Sequence, residues 1–457
     1  MNQPFMQEVF SMKRVIGIDW GTHSSKWCYQ DTNKRTIVGQ IWNSAVWREG
    51  DQLSMYAMNR RHKGNRGESG LKRKLIQDPD QAFWEGSRPK LGVTLGEATV
   101  FSLHALLSDA HDTLKRMGAI DGEVNDLTYR FSHPNWISPD KVTALSYYRD
   151  AAVVALSSCG YASSWPIDQD VFHLSIPDIR NIVVSHQKII TALLPLPQLY
   201  DHSKYQSCLR GTISEVVWEL VFESCAAGFP YLVETEPELF DPDTFEESQH
   251  QWVRKILVVD IGAGSTDAGY MLRTIKLDPR TQKPVSPLLI WLPAHDALEK
   301  AGNWLSDRIR EDRIKQGYPN ATLDEAEDYK TSGVTDWHGK QYLSEWCEAI
   351  AGHIADYISV IPDKTRLPKT PPLQVVVTGG SSAVPKVKEH ILERVKDALR
   401  ARGVGAGVCD ASSLILPSIS TLRGGGSTEI QCAQLAVCFG ASHPRFAELT
   451  HYPKGVI

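Results

Sequence analysis

The stretch VIGIDWGTHSSKWCY, residues 15–29, returns far along the chain as ILVVDIGAGSTDAGY, residues 256–270. Both run through a short apolar segment, Asp, one residue, Gly, two residues, Ser, then Ser or Thr, a charged residue and, three positions on, Tyr. The apolar segments are too short for helices and read as buried strands. The Gly-rich patch reads as a tight turn, and the residues after it as a returning strand. Glycine permits φ > 0 and lets backbone N–H groups come close to an anion. Thr22, Ser24, Ser25, Ser265 and Thr266 add hydroxyl donors. An Asp at a strand end beside phosphates calls for a cation between them, and Mg²⁺ suits because it takes few carboxylates and keeps most of its waters. One copy alone is a weak motif that a plain polar turn also explains. Two matched copies facing each other would clamp a polyphosphate from both sides.

The pair resembles the two phosphate-binding hairpins of the actin-like ATPase superfamily, which includes actin, the sugar kinases and the DnaK-type heat-shock chaperones. Further segments fit in the order this resemblance implies. SEVVWELVFESCAAG, residues 214–228, is similar to the chaperone helix that crosses between the lobes, with Glu223 where a glutamate lies near the attacking water and Ser224 in place of proline. LQVVVTGGSS, residues 373–382, followed by a helical pattern over 384–402, resembles the adenosine motif, with Gly379, Gly380, Ser381 and Ser382 as its contacts. Ala383 and Val384 stand where the chaperone pattern has its Arg. Glu327 and Lys330, three apart on one helix face, look like the pair that embraces ribose and adenine; a solvated surface ion pair is the plainer reading of that spacing. LAVCFGA, residues 435–441, resembles the second crossing helix. The DnaK-type nucleotide-binding domain fits best.

The resemblance implies a two-lobed α/β fold, a duplicated ribonuclease-H-like sheet with helices, smaller outer subdomains and a central nucleotide cleft. Lobe I would span 13–228, with an outer subdomain over about 40–92, an insertion at 160–212 and a crossing helix over about 214–228. Lobe II would span 255–430, its outer subdomain over about 293–368, and a C-terminal crossing helix would cover 431–446. ATP or ADP with Mg²⁺ would bind between Gly21, Thr22, His23 and Ser24 on one side and Gly262, Ala263, Gly264, Ser265 and Thr266 on the other. Asp19, Asp260 and Asp267 would hold the metal, mostly through its waters. Asp19, Glu223, Asp267 and Lys26 would form the catalytic set, Glu223 orienting or deprotonating water. Lys26 lies where actin and some sugar kinases place a phosphate-binding lysine. Chaperones take theirs from a second segment, whose nearest match is LKRKLI, residues 71–76. Strict alignment selects Arg73 and a one-residue shift Lys72 or Lys74, so the choice among these and Lys26 stays open.

Composition narrows the remaining classes. The 457 residues are 42% hydrophobic and 23% charged, enough for a sizeable core and against wholesale disorder. A net charge of −5 gives no global pull toward nucleic acid or an anionic membrane. The eight cysteines form no C-x-x-C pair, no run is long enough to span a membrane, and residues 1–13 lack the apolar core of a secretory signal; a cytoplasmic setting is expected. A P-loop and a dinucleotide fingerprint are both missing. Few residues follow Ala441, so no β-sandwich peptide-binding domain is expected. The expected function is an ATPase switch acting on a partner protein through 160–212; a small-molecule kinase and a filament-forming actin-like protein are the alternatives, and a binding-only relative stays open. The acidic run from Glu234 to Glu247 and the basic run from Arg60 to Arg66 read as solvated loops, and Gly424–Thr428 as a connector.

Overall fold

A computed structural model describes residues 14–31, 36–58, 67–77, 83–120 except 87 and 89, 127–159 except 137, 139 and 140, 171–193, 209–235 except 214 and 215, 254–331 except 278, 279, 282, 283, 295 and 296, 337–360 except 338 and 339, 373–401 except 385, 408–409, 421–422, 429–446 and 450–451. The basic run, the Gly424–Thr428 run and all but the start of the acidic run lie outside these residues.

The chain opens with β1 (Arg14–Asp19), β2 (Ser24–Asp31) and β3 (Thr36–Asn43), then β4 (Trp47–Glu49), β5 (Gln52–Tyr56), α1 (Leu71–Gln77) and α2 (Leu95–Arg116). It continues through β6 (Leu127–His133), α3 (Val142–Cys159), β7 (Val171–Ser175), α4 (Ile176–Ala192), β8 (Arg210–Ile213), β9 (Val216–Phe222) and α5 (Glu223–Thr235). The second part holds β10 (Arg254–Ile261), β11 (Thr266–Leu277), β12 (Pro284–Pro293), α6 (Gly302–Lys315), α7 (Leu323–Thr331) and α8 (Gln341–Val360). After β13 (Leu373–Thr378) come a 3₁₀ turn (Gly380–Ala383), α9 (Val387–Ala401), β14 (Val408–Cys409), β15 (Thr421–Leu422), α10 (Glu429–Ser442) and β16 (Thr450–His451).

Two mixed sheets follow one plan. The first has the order β15-β3-β2-β1-β6-β9-β8 and the second β14-β13-β10-β11-β12-β16. In each, an antiparallel meander (β1-β2-β3, β10-β11-β12) is extended beside its first strand by parallel strands (β6 then β9, β13 then β14). Parallel neighbours need crossover connections, which α3 and α9 help to provide. The fold is thus mixed α/β.

Strand β10 is buried on both faces, and its alternation divides it between two cores. Ile256 and Val258 join the larger core with the first sheet, α5 and α10, whereas Leu257, Val259 and Ile261 join a second core with α6, α8 and α9. The two helices between the sheets pack closely. A Cβ added at Gly17 of β1 would lie 2.4 Å from the Cys438 carbonyl oxygen of α10. One at Gly228 of α5 would lie 2.5 Å from Val258, and one at Gly440 of α10 would lie 1.8 Å from the Ala226 carbonyl oxygen of α5.

Several boundaries differ from expectation. The crossing helix expected over 214–228 begins only at Glu223, because Val216–Phe222 is strand β9. Buried Val216, Trp218 and Leu220 alternate with Val217 and Glu219, and this period of two prevails over the helical reading. The second crossing helix covers Glu429–Ser442 rather than 431–446. The segment 160–212 is not a free-standing addition: β7 pairs with β5 to complete a small β4-β5-β7 sheet, and β8 forms an edge of the first sheet. Residues 40–43, assigned to the outer subdomain, belong to β3 of the main sheet. No helix among the described residues is long and apolar enough to cross a membrane.

Candidate functional site

The two repeated hairpins meet at one end of the sheets. The turn after β1 carries Gly21, Thr22 and His23, and the turn after β10 carries Gly262, Ala263, Gly264 and Ser265. They touch: a Cβ at Gly264 would lie 2.2 Å from Thr22 Oγ1. The start of α6 holds the second turn, with Gly302 N–H donating to Gly262 O at 3.0 Å and Asn303 N–H to Ala263 O at 2.7 Å. Ser381 Oγ donates to Gly262 O at 3.2 Å. Gly379, at the end of β13, has φ +87° and passes so close to Asp260 that a Cβ would lie 2.3 Å from its Oδ1. Glycine is the residue that tolerates both conditions.

Between the turns lies a cleft of about 260 Å³. Both turns line it, together with Asp19, Ser24, Lys26, Lys72, Glu223 and Asp260 at the acidic end. Glu327, Lys330, Gly379, Gly380 and Ser381 also line it. Four expected residues do not. Thr266 is turned inward, its Oγ1 donating to Lys300 O at 3.3 Å. Ser382 Oγ donates to Gly379 O at 2.7 Å. Lys74 pairs with Glu68 on the outer side of α1, whereas Lys72, two residues earlier, is buried and reaches the cleft. The helix places these two lysines on different sides, and of the two only Lys72 lines the cleft. Asp267 is buried with both carboxylate oxygens engaged: Oδ1 accepts from Asn135 N–H at 2.7 Å and Oδ2 from Ser265 Oγ at 2.8 Å. It supports the cleft wall from behind instead of facing the cavity.

The charged groups form a closed cluster. Lys26 Nζ donates to Asp19 Oδ2 at 2.7 Å, and Ser132 Oγ to Asp19 Oδ1 at 3.2 Å. Burial works against the Asp19 carboxylate, but the Lys26 and Lys72 charges and these hydrogen bonds outweigh it and hold its pKa below the ordinary value. Lys72 Nζ is paired with Glu223. Even so, burial, aided by the Asp19 and Asp267 charges, pushes Glu223 up to about 8. Burial, with the charges of Asp267 and Asp19, lifts Asp260 to about 7. Asp267 is also raised, by burial, against the donors from Asn135 and Ser265. Four buried acids thus lie around two buried lysines, with Asp267 set behind the cleft wall.

This donor set fits a hydrated divalent cation held between acids and an anion, since Asp19 and Asp260 face the cleft and Mg²⁺ takes few direct carboxylates. Among the described residues no group of three His, Cys, Asp or Glu side chains converges on one bare ion. At the other end Lys330 pairs with Glu327 at 2.7 Å and donates to Ser306 Oγ at 2.9 Å. Lys330 is only 3% exposed, so this pair is not the solvated ion pair that its spacing alone suggests.

Sequence reasoning missed Met58, Asp328, Gln434 and Val437, which also line the cleft. Gln434 and Val437 are three apart on α10 and share a face, a signal present in the sequence. Met58 follows the β5 hairpin and carries no motif. Compared with known proteins, the chain matches no family model and no curated sequence.

Proposed function

We propose that this chain is a Mg²⁺-dependent ATP-binding switch built on the two-lobed actin-like plan, closest to the nucleotide-binding half of the DnaK-type chaperones. The observation that carries the reading is the convergence of two repeated Asp-x-Gly hairpins, from two sheets of one strand plan, on a single cleft with Lys26 and Lys72. A plain polar turn would not need its partner turn opposite.

In this reading the turn backbone N–H groups, that of Ser265 among them, and the Thr22, Lys26 and Lys72 side chains donate to the β- and γ-phosphate oxygens. Asp19 and Asp260 would hold Mg²⁺ through its waters, with Asp267 bracing the second turn. The metal supplies charge neutralisation on the phosphates. Glu223, paired with the Lys72 ammonium at the edge of the cleft, accepts a proton from the attacking water once ionised. Gly379, Gly380 and Ser381 give the base and ribose a flat backbone surface, and Glu327 and Lys330 close the opposite side. A γ-phosphate gripped by both turns ties the two sheets together, and its loss releases them, which is the device a partner protein would sense.

The test is ATP turnover and ATP-dependent thermal stabilisation of the full chain with Mg²⁺, beside Asp19→Ala and Glu223→Ala. Wild type is expected to be stabilised by ATP and to release phosphate slowly. Asp19→Ala should lose both. Glu223→Ala should keep binding and lose about 10²-fold or more in turnover, as removal of a general base does. Absence of both binding and turnover in wild type overturns the proposal.

A further inference from the structure

The turn after β6 holds a residue that no motif singles out. Asn135 is fully buried and bonds to two other elements. Its backbone N–H donates to Asp267 Oδ1 at 2.7 Å. Its side-chain Nδ2 donates to Ala268 O at 2.8 Å, and its Oδ1 accepts from Ser224 Oγ at 3.2 Å. Asp267 and Ala268 stand on β11 of the second sheet, and Asn135 follows β6 of the first. Ser224 is the second residue of α5, directly after Glu223. One side chain therefore joins the first sheet, the second sheet and the helix that carries the proposed base.

The chemistry of the link is selective. An amide offers a donor and an acceptor on one planar group, and here one faces a carbonyl and the other a hydroxyl. Aspartate would lack the donor and set a carboxylate against the Ala268 carbonyl. An apolar residue would leave Ser224 and part of the Ala268 carbonyl without a partner in a dry site, which is costly. Ser224 gains a reason as well: the resemblance has proline at this position, and proline has no hydroxyl to give. The Asp267 carboxylate, fixed by Asn135 N–H and Ser265, in turn holds the turn that bears Gly262–Ser265.

We infer that Asn135, with Ser224, is a positioning latch that sets Glu223 and the second phosphate turn in register across the two sheets. It touches no substrate; it acts through Ser224 on the start of α5 and through Asp267 and Ala268 on β11. The catalytic consequence rests on the ATPase reading above, whereas the latch itself does not.

The experiment uses the full chain and the variants Asn135→Ala, Ser224→Ala and the double variant. Single-turnover phosphate release at saturating ATP and Mg²⁺ is measured beside the ATP dissociation constant. Displacing a reacting group by a fraction of an ångström to an ångström costs about ten- to a hundredfold in rate, so Asn135→Ala should lose that much. Its ATP affinity should change by less than about threefold, since under about 0.7 kcal/mol of binding is at stake. A fold-supporting residue without this role would lower the melting temperature and leave the rate of the folded protein intact. Ser224→Ala should lose less, and the double variant should be no slower than Asn135→Ala. Wild-type rates in both single variants, or losses that multiply, overturn the latch. Should Asn135→Ala not fold, Ser224→Ala decides alone, and a wild-type rate there overturns the proposal. If wild-type protein neither binds nor hydrolyses ATP, the ATPase reading falls separately. The latch is then read from a double-mutant cycle on ligand-free melting: non-additive losses support it and additive losses overturn it.

Discussion

Asp260 and Asp267 stand opposite each other in the β10–β11 ladder and have opposite circumstances. Asp267 has a donor on each oxygen, whereas Asp260 receives no hydrogen bond among the described residues and faces the cleft. A carboxyl whose pKa is raised on folding binds its proton more tightly folded than unfolded, so its contribution to stability falls as pH rises between the two values. For Asp260 that window runs from 3.8 to about 7, and for Glu223 from 4.5 to about 8. Buried His104, His111, His133 and His443 are held well below the ordinary imidazole value and oppose this trend up to about pH 6.5, so the ligand-free protein should melt at progressively lower temperature from about pH 6.5 to pH 8. Asp260→Asn should flatten the decline and melt about 2–4 °C above wild type at pH 8, while losing the extra stabilisation that Mg²⁺ gives with ATP. Differential scanning fluorimetry across pH measures both, and a lower melting point for Asp260→Asn at pH 8 would show that the Asp260 charge is compensated in the empty cleft. At this scale most of the site was readable. Gly21 and Gly262, placed in turns by the repeat, and Gly379, singled out by the resemblance, all line the cleft. Spacing could not convey which of two polar groups on a strand would be spent inside the fold. Asp267 and Thr266 are spent there, and Asn135, which has no motif, gains its partners only when the two sheets are brought together.

Among elements, α5 and α10 cross at the glycine with the closest approach among those described. Gly440 lies against the Ala226 carbonyl, and any side chain there must push the helices apart. Gly352, in the middle of α8, has nothing within 4 Å of an added Cβ. The two glycines give opposite expectations for one substitution. Gly440→Ala should destabilise by about 1–3 kcal/mol through overpacking. Gly352→Ala should stabilise by about 0.4–1 kcal/mol through the restricted unfolded chain. Denaturant unfolding of the two variants checks both signs. The β1–β2 and β10–β11 hairpins were legible from the repeated sequence, and α9 from the helical pattern over 384–402. The strand β9 was not, since a short run rich in Val, Trp and Leu satisfies both periods until its neighbours are known. The pairing of β5 with β7 was equally hidden: it joins Gln52–Tyr56 to Val171–Ser175, and no local pattern states which strands meet across that distance.

For the whole molecule, the repeated sequence announced a repeated plan, and the two sheets share their strand order and sense around β1 and β10. The additions were not announced: β8 and β15 on the first sheet and β16 on the second are short or late strands. The core of the first sheet is finished by α10, near the far end of the chain. Gln30 Nε2 donates to Phe439 O at 2.6 Å and to Ser442 Oγ at 2.8 Å, and Arg130 Nη1 donates to Ala441 O at 3.0 Å and to His443 O at 2.7 Å. Cys28 of β2 and Cys438 bring their sulfurs within 3.1 Å across 410 positions of chain. A ribosome adding about 5–20 residues per second needs on the order of tens of seconds to pass from one to the other. Throughout that time the side of β1 and β2 that meets α10 lacks its partner helix, and the contacts that complete it are the slow, long-range kind. Ribosome-bound chains halted before Glu429 should thus be cut by protease within β1–β3, and chains released with α10 should resist. The earliest strands thus keep one side open until synthesis has passed α10, and the hazard of aggregation lasts as long as that side stays open.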